Sequence, residues 1–221
     1  PSVGAAGKGK AIVNLVSMRT NEKLAAVCAV KKFPEDEFVL MCSRKGIIKK
    51  TPLSAFKKPI SRGIIAIGIE DEDALIAAAI TDGQSEAILA TRRGKAIHFQ
   101  EGDVRPMGRT ARGVKGIRLF AKDEVVSMAV VESGGTLLTV TDKGFGKRSR
   151  IEDYRIQTRG GKGIINVKTT KRNGDVVAVP FVRDEDQLMV ITAHGMIVRL
   201  NVGDFGVMGR ATQGLRLIQL D

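Results

Sequence analysis

A hydroxyl residue, two further residues and a glycine recur four times in this chain. They are Ser43-Arg44-Lys45-Gly46, Thr91-Arg92-Arg93-Gly94, Thr141-Asp142-Lys143-Gly144 and Thr192-Ala193-His194-Gly195. The glycines are separated by 48, 50 and 51 residues. Ten residues after each stands a large apolar residue: Phe56, Val104, Tyr154 and Phe205. Apolar runs opening at Leu24, Leu75, Val125 and Val176 keep nearly the same period. A period of this length means one supersecondary unit per repeat. Such a unit cannot bury its own faces, so neighbours must pack on both sides.

Each repeat reads as four short strands. In the first complete one they are Phe38–Cys42, Ile47–Thr51, Ile64–Ile69 and Leu75–Ile80. Ala87–Ala90, Leu137–Val140 and Leu188–Ile191 match the first strand, and Val125–Val131 and Val176–Val182 the last. β-branched residues, turn glycines and Pro180 within the last of these favour strands over helices. No amphipathic helix separates them. The expected fold is all-β, a propeller-like ring of four-stranded blades with about 50 residues per repeat. The whole chain, 1–221, reads as one such domain. Residues 1–34 form a partial repeat, 35–83, 84–133 and 134–184 are complete, and 185–221 is partial. Ala11–Leu15 and Leu24–Val30 are the expected last two strands of the opening partial repeat, and Leu215–Leu220 the third strand of the closing one.

Several functional classes fall away. No apolar run approaches the roughly 18–20 residues of a membrane-spanning helix. Cys28 and Cys42 lie in apolar runs, form no C-x-x-C pair and read as buried free thiols. His98 and His194 stand apart, so no metal site is expected. Catalytic constellations are also missing. Gly160-Gly161-Lys162-Gly163 lacks the Ser or Thr that a phosphate-binding loop needs after its lysine.

The charge is segregated. Lys and Arg number 36 against 24 Asp and Glu, a net +12. Lys57–Gly68, Val104–Lys122, Tyr154–Gly174 and Phe205–Leu220 contain no acid at all. They carry Lys57, Lys58, Arg62, Arg105, Arg109, Arg112, Lys115, Arg155, Arg159, Lys162 and Arg210. Acids gather instead in Glu35–Glu37, Glu70–Asp73, Asp123–Glu124 and Asp184–Asp186. Two further positions are basic in every repeat, counting His as basic. Lys45, Arg93, Lys143 and His194 precede the hairpin glycine, and Lys50, His98, Arg148 and Arg199 stand four residues after it. Lys49, Arg92 and Lys147 adjoin them. Equivalent positions in a ring fall at equivalent places around the circle, so these cations are expected to form a curved basic track. Such a track suits a polyanion longer than one blade. With eight Phe, one Tyr and no Trp, stacking on single strands is poorly served, and duplex DNA held through its phosphates fits better.

Gln157-Thr158-Arg159-Gly160-Gly161-Lys162-Gly163 closely resembles the Gln-Arg-Arg-Gly-Gly-Lys-Gly box of the C-terminal domain of DNA gyrase A. Gly9–Leu15, Met107–Leu119, Gly144–Arg148 and Gly209–Ile218 resemble that domain in the same order. The resemblance implies a β-pinwheel whose blades exchange strands, with duplex DNA bent around a basic rim. It implies partnership with the rest of gyrase A and with gyrase B, in the bacterial cytoplasm at the nucleoid. It also implies service to ATP-dependent negative supercoiling by this type IIA topoisomerase. ATP, Mg²⁺ and the cleavage tyrosine would belong elsewhere in that assembly, so this chain is expected to be non-catalytic and to hold no cofactor. Tyr154 shares its repeat position with Phe56, Val104 and Phe205, which marks it as packing. The box departs from the family at Thr158 and lies in the third complete repeat rather than the first blade. A six-bladed disc needs about 300 residues, so a first blade is expected to be unrepresented here.

Two other readings stand beside this one. The corresponding C-terminal domain of topoisomerase IV, which steers substrate choice, typically lacks an intact box. A protein-binding propeller would show little salt dependence.

Overall fold

The computed structural model describes residues 18, 22–58, 60 and 62–220. The first complete repeat forms β1 (Phe38–Ser43), β2 (Ile47–Pro52) and β3 (Leu75–Thr81). The second forms β4 (Glu86–Thr91), β5 (Lys95–Gln100), β6 (Val114–Lys115) and β7 (Val125–Val131). The third forms β8 (Thr136–Thr141), β9 (Phe145–Arg150), β10 (Ile164–Ile165), β11 (Val176–Ala178) and β12 (Phe181–Val182). The last forms β13 (Gln187–Ile191), β14 (Ile197–Asn201) and β15 (Leu215–Arg216). Every β-hairpin joining a first to a second strand closes on the recurring glycine. Gly46, Gly94, Gly144 and Gly195 have φ of 81°, 78°, 73° and 82°, a conformation that only a residue without Cβ takes readily. Their N–H groups donate to the carbonyls of Ser43, Thr91, Thr141 and Thr192 at 2.9–3.1 Å. The hydroxyls of Ser43, Thr91 and Thr192 accept the N–H of Ile47, Lys95 and Met196 at 3.3, 3.2 and 3.1 Å. Both ends of the recurring motif are therefore turn chemistry.

The sheets are not made of consecutive strands. Their orders are β3-β1-β2-β6, β10-β5-β4-β7 and β11-β8-β9-β15, with β12 also on β8 and β13–β14 standing as a pair. The second, third and last repeats thus give their third strand to the second strand of the preceding one: Ile48 faces Val114, Ala96 faces Ile164, and Gly146 faces Leu215. These third strands are only two residues long. The chain then turns into the gap between blades, where the carbonyls of Gly46 and Gly94 each take two N–H groups from Gly116–Ile117 and Asn166–Val167. Ile117 and Val167 become buried there.

Four sequence expectations are corrected. Ile64–Ile69 forms no strand, because the described residues hold no preceding second strand to receive it. Leu215–Leu220 pairs only over Leu215–Arg216 for the reason just given. Val176–Val182 breaks into β11 and β12 because Pro180 has no N–H for the ladder; its carbonyl still accepts Leu138 N–H at 3.0 Å. Ala11–Leu15 lies outside the described residues. Leu24–Val30 runs without a ladder.

The core lies between sheets. Leu40, Ile48, Leu89, Ile97, Phe99, Val104, Ile117 and Val125 form one cluster, and Ile88, Leu137, Tyr154, Val167, Val176 and Val179 the next. Cys42 is buried and free in the first; Cys28 is free but only half-buried. Tyr154 is 2% exposed and donates its hydroxyl to Asn166 Oδ1 at 2.6 Å. Burial pushes its phenol up to about 12, the behaviour of a packing residue.

Candidate nucleic-acid interface

The basic residues four places after the hairpin glycine are posts inside the fold. Lys50, His98 and Arg148 are 3–4% exposed. A buried basic side chain needs fixed partners in place of water, and each has them. Lys50 Nζ donates to the carbonyls of Glu101 and Gly83 at 3.2 and 3.4 Å, lies 3.9 Å from the buried Glu101 carboxylate and sits over the Phe38 ring. His98 Nδ1 donates to the Tyr154 carbonyl at 2.7 Å, while Nε2 meets Glu86 at 2.8 Å. Arg148 donates to the carbonyls of Val202 and Phe205, both at 3.1 Å, and to Asp184. Glu101 and Val202 lie in, and Tyr154 and Phe205 directly follow, the short 3₁₀ turn that opens the following repeat's loop. The backbone repeats the link: Met107, Gln157 and Met208 donate N–H to the carbonyls of Lys50, His98 and Arg148 at 2.8, 2.7 and 2.8 Å.

Lys49 and Lys147 are buried as well, at 0% and 2%. Lys49 Nζ donates to the carbonyls of Ala66, at 2.7 Å, and Arg109. Lys147 donates to Ser149 Oγ at 2.5 Å and to the Gly209 carbonyl at 3.4 Å. Burial lowers both ammonium groups to about 8, with Arg109 and Arg210 adding repulsion. The expectation that Lys49, Lys50, Lys147 and Arg148 belong to the exposed track is therefore corrected. They hold the track's loops from below. Arg199, their counterpart in the last repeat, is exposed and donates to Gln187.

The loops themselves are linked end to end. Gly68, Arg118 and Lys168, spaced by 50 residues, donate N–H to the carbonyls of Ala111, Gly161 and Thr212 at 3.0, 2.8 and 2.9 Å. One hydrogen bond, repeated three times, makes a continuous band from four acid-free loops. Arg62, Arg112 and Lys162 occupy matched places on it and all are exposed. Lys57, Lys58, Arg105, Lys115 and Arg155 are exposed beside them. Arg109, Arg159 and Arg210 are half-buried. The guanidinium of Arg159 donates to the carbonyls of Asp103 and Lys115 at 2.8 and 3.1 Å, and that of Arg210 to Ile165 at 2.8 Å, clamping each loop to the preceding blade. In the box-like loop, Gln157 N–H is tied to His98, Gly160 N–H donates to Gly116 at 2.6 Å and Gly161 accepts Arg118. Gly163 lies too close to Ala96 O for any Cβ. Thr158 and Lys162 face solvent. Exposed Arg118, Lys168 and Arg216 escaped the sequence reading. Their acid-free surroundings were the available signal.

The hairpin cations have other neighbours. Arg92 pairs with Glu124 at 2.7 Å. Lys45 donates Nζ to Asp71 O at 3.1 Å, and its N–H, like that of Arg93, goes to an aspartate, Asp73 or Asp123. Lys143 donates to the Lys171 carbonyl. Lys45 also lines a cavity with Gly68 and Arg112 of the band. On the band itself, Arg112 meets one acid, Glu70, at 2.6 Å, both groups being exposed.

Among the described residues, no helix is long and apolar enough to cross a membrane. No group of three metal-ligating side chains occurs among them either.

Comparison with known proteins follows the same blades. The model of a family described as "DNA gyrase C-terminal domain, beta-propeller" matches residues 37–82, 85–132, 135–179 and 186–221. DNA gyrase A of Klebsiella oxytoca is 42% identical over 219 residues, which are 99% of this chain and 25% of that protein. The chain therefore spans about a quarter of the length of the curated relatives it matches. A solved gyrase A C-terminal domain superposes with a TM-score of 0.88 at 26% identity, covering 97% of this chain and 72% of that one. The C-terminal domain of a topoisomerase IV superposes at 0.89 with 25% identity, covering 96% and 66%. Matched repeat by repeat along its sheets, the chain belongs to the family of DNA gyrase C-terminal domains.

Proposed function

We propose that this chain binds duplex DNA without sequence preference, bends it along the loop band, and so serves negative supercoiling by a bacterial DNA gyrase. The observation that carries the reading is the hydrogen-bonded band itself, with Arg62, Arg112 and Lys162 at one matched position. Phosphates repeat at fixed spacing along DNA, and cations repeated on a rigid support meet them without reading bases. Bending a 20–30 bp site by 40–90° costs about 1–6 kcal/mol. Contacts distributed over several blades offset that cost better than contacts from one. In this reading the rest of gyrase A, together with gyrase B, supplies strand cleavage and ATP hydrolysis with Mg²⁺. The assembly works on the chromosome in the cytoplasm.

A second reading keeps the fold and changes the service: a topoisomerase IV domain that selects substrate. The comparable superposition on that domain and the Thr158 departure favour it; the 42% identity to gyrase A favours the first. A topology assay separates them. Relaxed plasmid is incubated with the chain at low salt, closed by a type I topoisomerase, stripped of protein and resolved on a two-dimensional gel. A positive linking-number shift that grows with protein supports wrapping of the hand gyrase needs. Binding without a shift supports the second reading, and absence of binding overturns both.

A further inference from the structure

On the acid-free loops of the band stand three exposed aliphatic side chains. Ile156 is 51% exposed, Val207 is 45% exposed, and Pro106 is exposed too. They occupy one repeat position, twelve residues after the hairpin glycine; in the first complete repeat that place is Lys58. Their backbone is tied to the preceding blade. Pro106, Ile156 and Val207 make the isolated parallel bridges to Lys50, His98 and Arg148, the buried posts. Arg105 and Arg155 directly precede the first two.

Single exposed aliphatics are ordinary on a protein surface. A recurrent one, bridged to the buried posts and set in acid-free loops, is not. It is also unlike a protein-docking patch, which needs a contiguous apolar area of a few hundred Å². Proteins that bend DNA sharply press an apolar wedge against the base steps from the minor groove. Arginines beside the wedge profit from the deepened negative potential of a narrowed groove.

We infer that Pro106, Ile156 and Val207 are wedges that enter the minor groove of bound duplex DNA, with Arg105 and Arg155 lying along the groove beside the first two. The inference rests on the DNA-bending reading above and adds the means of bending: phosphate contacts hold the duplex, and the wedges set where it kinks.

The test uses the 221-residue chain and the variants Ile156→Ser with Val207→Ser, Ile156→Leu with Val207→Ile, and Arg62→Ala with Lys162→Ala. The probe is a duplex of about 40 bp, well below the persistence length. It carries a fluorophore pair at its ends and, in a second preparation, 2-aminopurine at internal steps. Thermal melting checks that each variant folds. Wild-type chain should raise end-to-end energy transfer and dequench 2-aminopurine. The serine variant should lose most of both signals and about three- to tenfold in affinity, while keeping the wild-type salt slope because no cation is removed. The bulky aliphatic variant should restore both signals. The charge variant should do the reverse, losing salt slope while its residual complexes still dequench 2-aminopurine. Equal bending and dequenching by wild type and serine variant would overturn this inference alone. A wild-type chain that binds no duplex overturns it together with the reading beneath it.

Discussion

Lysine and arginine do two opposite jobs here, and burial decides which. Arg148 donates to two carbonyls and to Asp184 from a 4% exposed side chain. Truncation to Ala should cost about 3 kcal/mol, because the two carbonyls lose their donor inside the fold. Lys162, in solvent, should change stability by less than about 0.5 kcal/mol on the same substitution. Denaturant midpoints of the two variants measure the contrast. Lys147 adds a pH dependence. Its ammonium is lowered from 10.5 to about 8 by burial, so above pH 8 the unfolded chain holds the proton that the native chain has shed. Stability therefore rises between about pH 8 and 9, by on the order of 1 kcal/mol for this lysine. Above pH 9 the buried Cys42 thiol, raised from 9.0, acts in the other sense, since only the unfolded thiol ionises. A melting temperature that climbs from pH 8 to 9 in the parent, less steeply in Lys147→Met, and stays flat once Lys49→Met is added is the expected result. The recurrence of these cations was legible in the sequence, but their burial was not. β2 and β9 are covered on both faces, so no alternation of apolar and polar residues marks which side chains point inward.

At the scale of the element, the hairpin glycine satisfies two demands that substitution separates. At Gly94 a Cβ would overlap the Val167 carbonyl oxygen, and φ is +78°. At Gly195 φ is +82°, yet nothing lies within 4 Å. Gly195→Ala should cost about 1–2 kcal/mol for the left-handed backbone alone. Gly94→Ala should cost well beyond that, about 3 kcal/mol or more, since the strand delivered by the next repeat must move away. Urea unfolding of both variants tests this. The turn itself could be read from hydroxyl and glycine spacing, because its cause is local. The destination of the third strand could not. Two residues have no period, and Val114–Lys115 or Ile164–Ile165 find their partner one repeat back, fifty or more residues away. Pro180 was visible in the sequence, but a long apolar run masked its power to split the strand.

For the whole molecule, what counts is how many cations are presented together. Each phosphate neutralised contributes about 0.9 to the slope of log affinity against log salt. Removing Arg62, Arg112 and Lys162 together should lower that slope by about 2–3 and weaken all sequences alike. Glu70→Gln should strengthen binding, because it removes the carboxylate that competes for Arg112. Titrations at several salt concentrations read both effects. The segregation of charge that underlies this prediction stands plainly in the sequence. The bonds from Gly68, Arg118 and Lys168 that turn four separate loops into one band are main-chain bonds and leave no trace in composition.

The exchange of third strands has a mechanical corollary. Three of the four loops that bear the band's cations are also the splice between two blades: each leaves its own repeat at a 3₁₀ turn and ends as the edge strand of the preceding sheet. Tension applied to such a loop runs into two neighbouring sheets at once and loads a short ladder along its length instead of peeling it open. The loop's charge is free to vary, but its span is not. Shortening it would withdraw the strand that finishes the neighbouring blade, so a change meant for the surface would unlace the blades from within.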